Sequence, residues 1–316
     1  MRRFLASLAV VTAVTFTFVT LVGPSAGAVV PGPNGQIAFA REIPRLEDTA
    51  SFRIDPDGTD QARLLRGASG GPHWSPDGGE IAVNACANPP DCTTAAAIVD
   101  PDTGQLARWF PFADPDVFSA CVVWSPDGSR LACEGFGDTD PDLNGIYSID
   151  ASDGTDLTRI TSNPGGDDIP GDYSPDGTRI VFLRTDPDRR EGRNEALFIA
   201  QVDGPGSPQR VTPWGLSEET GSWSPDGTTI LFAGNGVLYT VPAEGGDVVR
   251  FRLPRRGAAF DPAWSPNGER IAFGFFARHT RQSDIWIANE NTGGMHPVTQ
   301  TRRSEHFPNW GTHPRA

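Results

Sequence analysis

Carboxylates at alternating positions are the first chemistry this sequence offers. Asp138, Asp140 and Asp142 precede Asn144 and Gly145 in one short stretch. Alternating oxygen donors with a Gly at the turn can wrap a hard cation such as Ca2+. Asp140, Asp142, Asn144 and Gly145 match the first, third, fifth and sixth places of a calcium loop. Asp150 closes it one place early, and no helix pattern flanks it. The competing reading is an acidic loop entering a strand. Calcium at Asp138, Asp140, Asp142 and Asn144 is therefore the only metal expected, and no other cofactor is.

Thiol chemistry comes next. Cys86 and Cys92 flank a short loop containing Pro89 and Pro90. Cys121 and Cys133 stand at equal distances from Asp127, so a hairpin centred there sets them opposite each other. The spacing predicts the disulfides Cys86–Cys92 and Cys121–Cys133. Zinc is the weaker reading, because no His lies at ligand spacing from these cysteines.

Catalytic patterns are poor. Gly67-Ala68-Ser69-Gly70-Gly71 has the spacing of a nucleophile elbow, but that motif needs a strand-to-helix turn, and here a Gly-rich loop runs into Trp74. His73, His279, His296, His306 and His313 are scattered. His73, just before Trp74, is placed to face a channel, but equivalent positions hold Ser222, Ala263 and Asn309, which supply no metal-lyase cluster. With three tyrosines in the chain, no tyrosine nucleophile of a glycosidase is evident.

The elements that position these residues are written in a repeat. Trp74-Ser75-Pro76-Asp77-Gly78 recurs as Trp124–Gly128, Tyr173–Gly177, Trp223–Gly227 and Trp264–Gly268, the last with Asn267 for Asp. An apolar run follows each: Ile81-Ala82-Val83, Leu131-Ala132-Cys133, Ile180-Val181-Phe182, Ile230-Leu231-Phe232 and Ile271-Ala272-Phe273. A further copy is split, with Pro308-Asn309-Trp310-Gly311 near one end and Asn34-Gly35-Gln36-Ile37-Ala38-Phe39 near the other. An open solenoid has no reason to divide a repeat between its termini. A closed ring does, because both ends then complete one blade and no sheet edge is left open. Residues 29–316 shared among six copies give about 48 residues each, enough for four strands. The first strand (A) ends at the aromatic residue, Pro-Asp-Gly makes the turn, and the apolar run is a strand covered on both faces (B). A third strand (C) and an outer one (D) follow, as in Ala196–Ala200 and Gln209–Thr212.

This pattern, Trp-Ser-Pro-Asp-Gly followed by Ile-Ala-Phe and by segments such as Ile146-Tyr147-Ser148-Ile149-Asp150, resembles the TolB-type, WD-repeat-like β-propeller repeat over about residues 33–311. The resemblance implies an all-β, six-bladed propeller of four-stranded antiparallel blades, with the N- and C-terminal strands sharing one blade. Proteins of this kind include periplasmic partners of envelope lipoproteins and propeller domains attached to peptidases, whose triads lie in a separate hydrolase domain. No such domain is expected between the closing repeat and Ala316.

Residues 1–28 read as a secretory leader: Arg2 and Arg3, an apolar stretch from Phe4 to Val22, and a small-residue site at Ala26-Gly27-Ala28. An uncleaved anchor is the alternative, and the expected membrane link goes through it alone. The net charge of −14 argues against general nucleic-acid binding.

Alternating strand direction puts the A–B and C–D turns on one face and the longer, more varied B–C and D–A loops on the other, where binding is expected. On that face Asp114, Asp116, Asp138, Asp140, Asp142, Asp167 and Asp168 precede a basic series: Arg189, Arg190, Arg193, Arg255, Arg256, Arg278, Arg281, Arg302 and Arg303. A face polarised around the ring can orient a protein or a polyanionic glycan; interspersed solubilising charge is the plainer reading. The sequence is thus read as an exported, monomeric, non-catalytic scaffold for an envelope protein or cell-surface glycan. The alternative is a carbohydrate-active lyase or hydrolase with its site at the channel mouth.

Overall fold

The computed structural model describes residues 30–43, 48–65, 69–86, 94–110, 118–137, 140–204, 206–217, 219–278, 280–291 and 293–312. The leader, Asp114, Asp116, Asp138 and Cys92, with the pair expected of it, lie outside the described residues.

Six four-stranded antiparallel sheets form the ring. Blade 1 holds β1 (Asn34–Ile43), β2 (Asp48–Ile54) and β3 (Ala62–Arg63). Blade 2 holds β4 (Ser69–Trp74), β5 (Ile81–Cys86), β6 (Thr94–Val99) and β7 (Leu106–Phe110). Blade 3 holds β8 (Phe118–Trp124), β9 (Arg130–Phe136), β10 (Gly145–Asp150) and β11 (Thr158–Arg159). Blade 4 holds β12 (Asp168–Tyr173), β13 (Arg179–Thr185), β14 (Glu195–Gln201) and β15 (Gln209–Arg210). Blade 5 holds β16 (Ser222–Trp223), β17 (Thr229–Gly234), β18 (Val237–Pro242) and β19 (Val249–Arg250). Blade 6 holds β20 (Gly257–Trp264), β21 (Arg270–Ala277), β22 (Asp284–Asn289) and β23 (Met295–Pro297). Finally β24 (Glu305–Thr312) returns to blade 1 and pairs with β1, Ile37 opposite Trp310 and Ala38 opposite Asn309. The split repeat is therefore one blade, with three strands from the N-terminal end and one from the C-terminal end.

The motif makes the A–B turn by local bonding. In blade 2 the Ser75 hydroxyl donates to Asp77 Oδ1 (2.8 Å), the Gly79 N–H donates to the same oxygen (2.9 Å), and the Glu80 N–H donates to Ser75 Oγ (2.9 Å). Gly78 sits at φ 71°, the left-handed region that a Cβ disfavours. The serine hydroxyl is also the main reason why Asp127, Asp176 and Asp226 lie below the ordinary carboxylate range.

Packing occurs between blades. The B strands are wholly buried at Ile37–Ala40, Ile81–Val83 and Ile180–Phe182, and the apolar clusters bridge adjacent blades, as where Trp223 and Ile230 meet Val181 and Leu197. Polar stitches join the same seams. The main-chain N–H groups of Trp74, Trp223 and Trp264 donate to Asn309 Oδ1 (2.8 Å), Asp172 Oδ2 (2.7 Å) and Ser222 Oγ (3.3 Å) of the preceding blade. The acceptor is each time the residue just before the motif aromatic. His73 occupies that position and is wholly buried, so it does not face an open channel as its place in the sequence suggested.

The outer strands are shorter than their sequence pattern. Gln209–Thr212 reads as a strand, but β15 stops at Arg210 because Thr212 Oγ1 takes the Leu197 N–H (2.8 Å) in place of a ladder bond. Thr161 and Thr299 do the same for Ile146 and Ile285, and each also donates to a carboxylate at the start of the next inner strand, Asp168 or Glu305. Glu305 is buried and takes Arg41 Nε at 2.6 Å, joining β24 to β1 directly. Burial raises the Glu305 carboxyl above its ordinary range, against the opposing pull of Thr299 and Arg41.

Two stability predictions follow from these seams. Glu305→Ala leaves Arg41 buried without its partner and is expected to cost about 3–5 kcal/mol in denaturant unfolding; a loss within error of zero rejects Arg41–Glu305 as the closing latch. Cys121 lies opposite Cys133 across β8 and β9, and the two are disulfide-bonded. Replacing both by Ser is expected to cost roughly 2–3 kcal/mol through the loop released in the unfolded chain, read as a lower denaturation midpoint than the oxidised wild type.

Candidate functional site: the loop face of the ring

Three neighbouring loops carry exposed arginines: Arg255 and Arg256 between β19 and β20, Arg278 and Arg281 between β21 and β22, and Arg302 and Arg303 between β23 and β24. The loops are tied into one surface. The Arg278 N–H donates to Arg256 O (3.3 Å), Gln282 Nε2 donates to Thr301 O (3.1 Å), and the Thr301 N–H donates to Asp284 Oδ1 (3.0 Å). Arg255 lies over the Trp286 ring at 5.1 Å. A cleft of about 450 Å3 is lined by Glu42, Arg281, Gln282, Arg302, Arg303 and Ser304. It brings three arginines against one carboxylate.

Arg189 and Arg190 stand apart from this group, in the loop between β13 and β14. Arg189 is already engaged, 2.9 Å from Asp186 and 4.6 Å over the Trp214 ring. The acidic side of the face is thinner than its sequence suggests. Asp168 is buried, where Arg184 grips both its oxygens (2.7 and 2.6 Å), so it adds no surface charge. Asp140 and Asp142 are exposed, at a 3-10 turn over Pro141–Leu143. The Asp140 side chain accepts the Asp142 N–H (3.0 Å), and Asn144 Oδ1 accepts the Gly137 N–H (3.1 Å). These oxygens close the loop on itself. Among the described residues no group of three His, Cys, Asp or Glu side chains is placed to hold a metal.

On the inner side of the blades, carboxylates fix the main chain. Glu219 accepts the Asp261 N–H (2.5 Å), and Asp261 accepts the Phe307 N–H (3.0 Å). Both donors have left-handed backbones, φ 48° at Asp261 and 52° at Phe307, a conformation that a bulky side chain such as Phe rarely adopts. Burial pushes the Asp261 carboxyl up to about 6, partly countered by His306. Beside them Phe260 packs against Phe276 (centroids 5.4 Å) and His306 (5.5 Å).

The TolB β-propeller domain model matches residues 35–241. The chain belongs to the TolB β-propeller domain family. An uncharacterized protein of Agrobacterium fabrum is 30% identical over 213 residues, 63% of this chain and 67% of its own length. The uncharacterized peptidase YuxL of Bacillus subtilis is 30% identical over 108 residues, 31% of this chain; the match spans only 16% of that peptidase. The crystal structure of TolB from Acinetobacter baumannii superposes with a TM-score of 0.67 at 21% identity, over 90% of this chain and 68% of that one.

Sequence reading of this TolB-type propeller located the arginine loops but missed the aromatic strip and Glu134. The strip left a trace in Phe275-Phe276, an aromatic doublet at the end of a B strand. Glu134 left none. It is a partly buried residue on β9, and burial first, then the charges of Asp167 and Asp168, push its carboxyl up to about 8 from 4.5. Its proton is thus held in the folded chain and lost in the unfolded one between these values. Stability from this group therefore falls as pH rises from about 4.5 to 8. Glu134→Gln is expected to flatten that fall, raising the melting temperature at pH 8 and leaving it unchanged near pH 4. Parallel melting curves for variant and wild type across this range would reject the assignment.

Proposed function

We propose that this propeller is an exported, non-catalytic binding scaffold that docks an envelope protein or cell-surface glycan on its B–C/D–A loop face. The observation carrying this reading is the arginine sector: six exposed guanidiniums on three interlinked loops of a chain whose net charge is −14. A basic patch on an acidic body steers and orients an acidic partner. The leader pattern in residues 1–28 supports export. The non-catalytic part of the reading is supported by Glu219 and Asp261, whose oxygens are taken up by main-chain N–H groups.

The test is capture of a partner from the cell envelope by residues 29–316. Arg255→Glu with Arg256→Glu is expected to lower capture about tenfold or more at low salt, while Arg250→Glu on the outer strand of blade 5 leaves it unchanged. Equal capture by all three proteins would remove the arginine sector from the reading.

A further inference from the structure

The arginine cleft continues into the aromatic strip. Glu42 on the cleft wall stands 3.6 Å from His306 Nε2, His306 packs on Phe260, and Phe260 packs on Phe276, whose ring is partly exposed at the edge of blade 6. The strip is built into the backbone. A Cβ at Gly274 would come within 2.2 Å of the Phe260 ring, so only a glycine leaves that ring its place. A register shift in β24 between Asn309 and His306 coincides with the left-handed Phe307, and the Asp261 carboxylate holds that bend. A costly backbone beside a ring platform and a charged cleft is the kind of strain that persists where a site needs it.

Resting on the reading of the loop face as a docking surface, we infer that the cleft and strip together bind an acidic polysaccharide. The C–H face of a sugar ring lies on the Phe276 ring, and the carboxylates of neighbouring units meet Arg281, Arg302 and Arg303. Gln282 and Ser304 are in reach of ring hydroxyls. The chemistry fits in three respects. Guanidinium forks take carboxylates with two parallel bonds. A volume of about 450 Å3 suits a sugar unit rather than a folded element. The partly exposed apolar ring of Phe276, at the far end of the strip, has no role in binding a purely acidic peptide. A single-stranded nucleic acid also combines charge and stacking, but its charge sits on the backbone away from the stacked base, whereas a uronate carries its carboxylate on the ring itself.

The experiment is calorimetric titration of residues 29–316 at low salt with an alginate hexasaccharide, maltohexaose, hexaglutamate and a thymidine hexanucleotide. The expected result is binding of alginate about tenfold or more tighter than of the other three. Phe276→Ala and the double variant Arg302→Ala/Arg303→Ala should each weaken it about tenfold, with Phe276→Tyr restoring affinity. Melting temperature and circular dichroism of each variant confirm folding. Hexaglutamate or the oligonucleotide binding as tightly as alginate, or indifference to Phe276→Ala, overturns the glycan assignment. If no probe binds, yet envelope capture still falls with the Arg255 and Arg256 reversals, the glycan inference fails and the scaffold reading stands. If capture is also indifferent to those reversals, both fail.

Discussion

Everything in this molecule depends on the covering of sheet faces by neighbouring blades. A B strand such as Ile180–Phe182 is apolar on both sides, and one four-stranded sheet cannot bury both of its own faces. Each blade therefore needs one neighbour on either side, and the requirement ends only when the ring closes. Closure is left to β24, whose pairing with β1 joins strands from opposite ends of the chain. The Arg41–Glu305 contact lies at this junction. Without the β1–β24 pairing, two apolar blade faces and a sheet edge would be open together.

Closure also decides which polar residues remain for function. The inner strands carry Asp168, Asp172, Asp261, Glu305 and Asn309, a set that by composition alone suggests a polar channel. Their oxygens are instead committed to the fold: Asn309 to Trp74, Asp172 to Trp223 and Asp261 to Phe307 of the next blade, and Asp168 to Arg184 and Glu305 to Arg41 within their own. Such groups are held inside because a buried backbone N–H needs an acceptor as much as the acceptor needs a donor. Removing them from the list of reactive groups leaves the loops, where side chains are not required for the seams.

The fold was legible because its instructions are local and repeated. Ser-Pro-Asp-Gly bonds within six residues, so Ser75 to Glu80 reads the same in isolation as in the ring. The pairing of Cys121 with Cys133 was legible for the same reason, being centred on one such turn. The site was legible only as loops of like charge. That His306 lies beside Glu42 depends on ring closure, whereas Arg256 lies beside Arg278 because both extend the β20–β21 hairpin. Two misreadings have their own causes. Asp168 looks like a surface acid beside Asp167, yet the β12–β13 hairpin sets it directly opposite Arg184, a pairing as local as that of the cysteines. His73 looks like a channel residue, and its position belongs to the blade seam.

The charge pattern gains its meaning from geometry rather than from composition. A net charge of −14 would by itself describe a protein that repels acidic partners. The arginines escape that average because hydrogen bonds around blade 6 hold the three loops together, Arg278 to Arg256 and Gln282 to Thr301. Elsewhere cations are neutralised in place: Arg184 by Asp168, Arg108 by Glu80, Arg130 by Asp156 and Arg179 by Glu244. Arg255, by contrast, is supported on an aromatic face, Trp286, which fixes the guanidinium without cancelling its charge. Arg255 thus keeps its charge available at the loop face while its position is fixed.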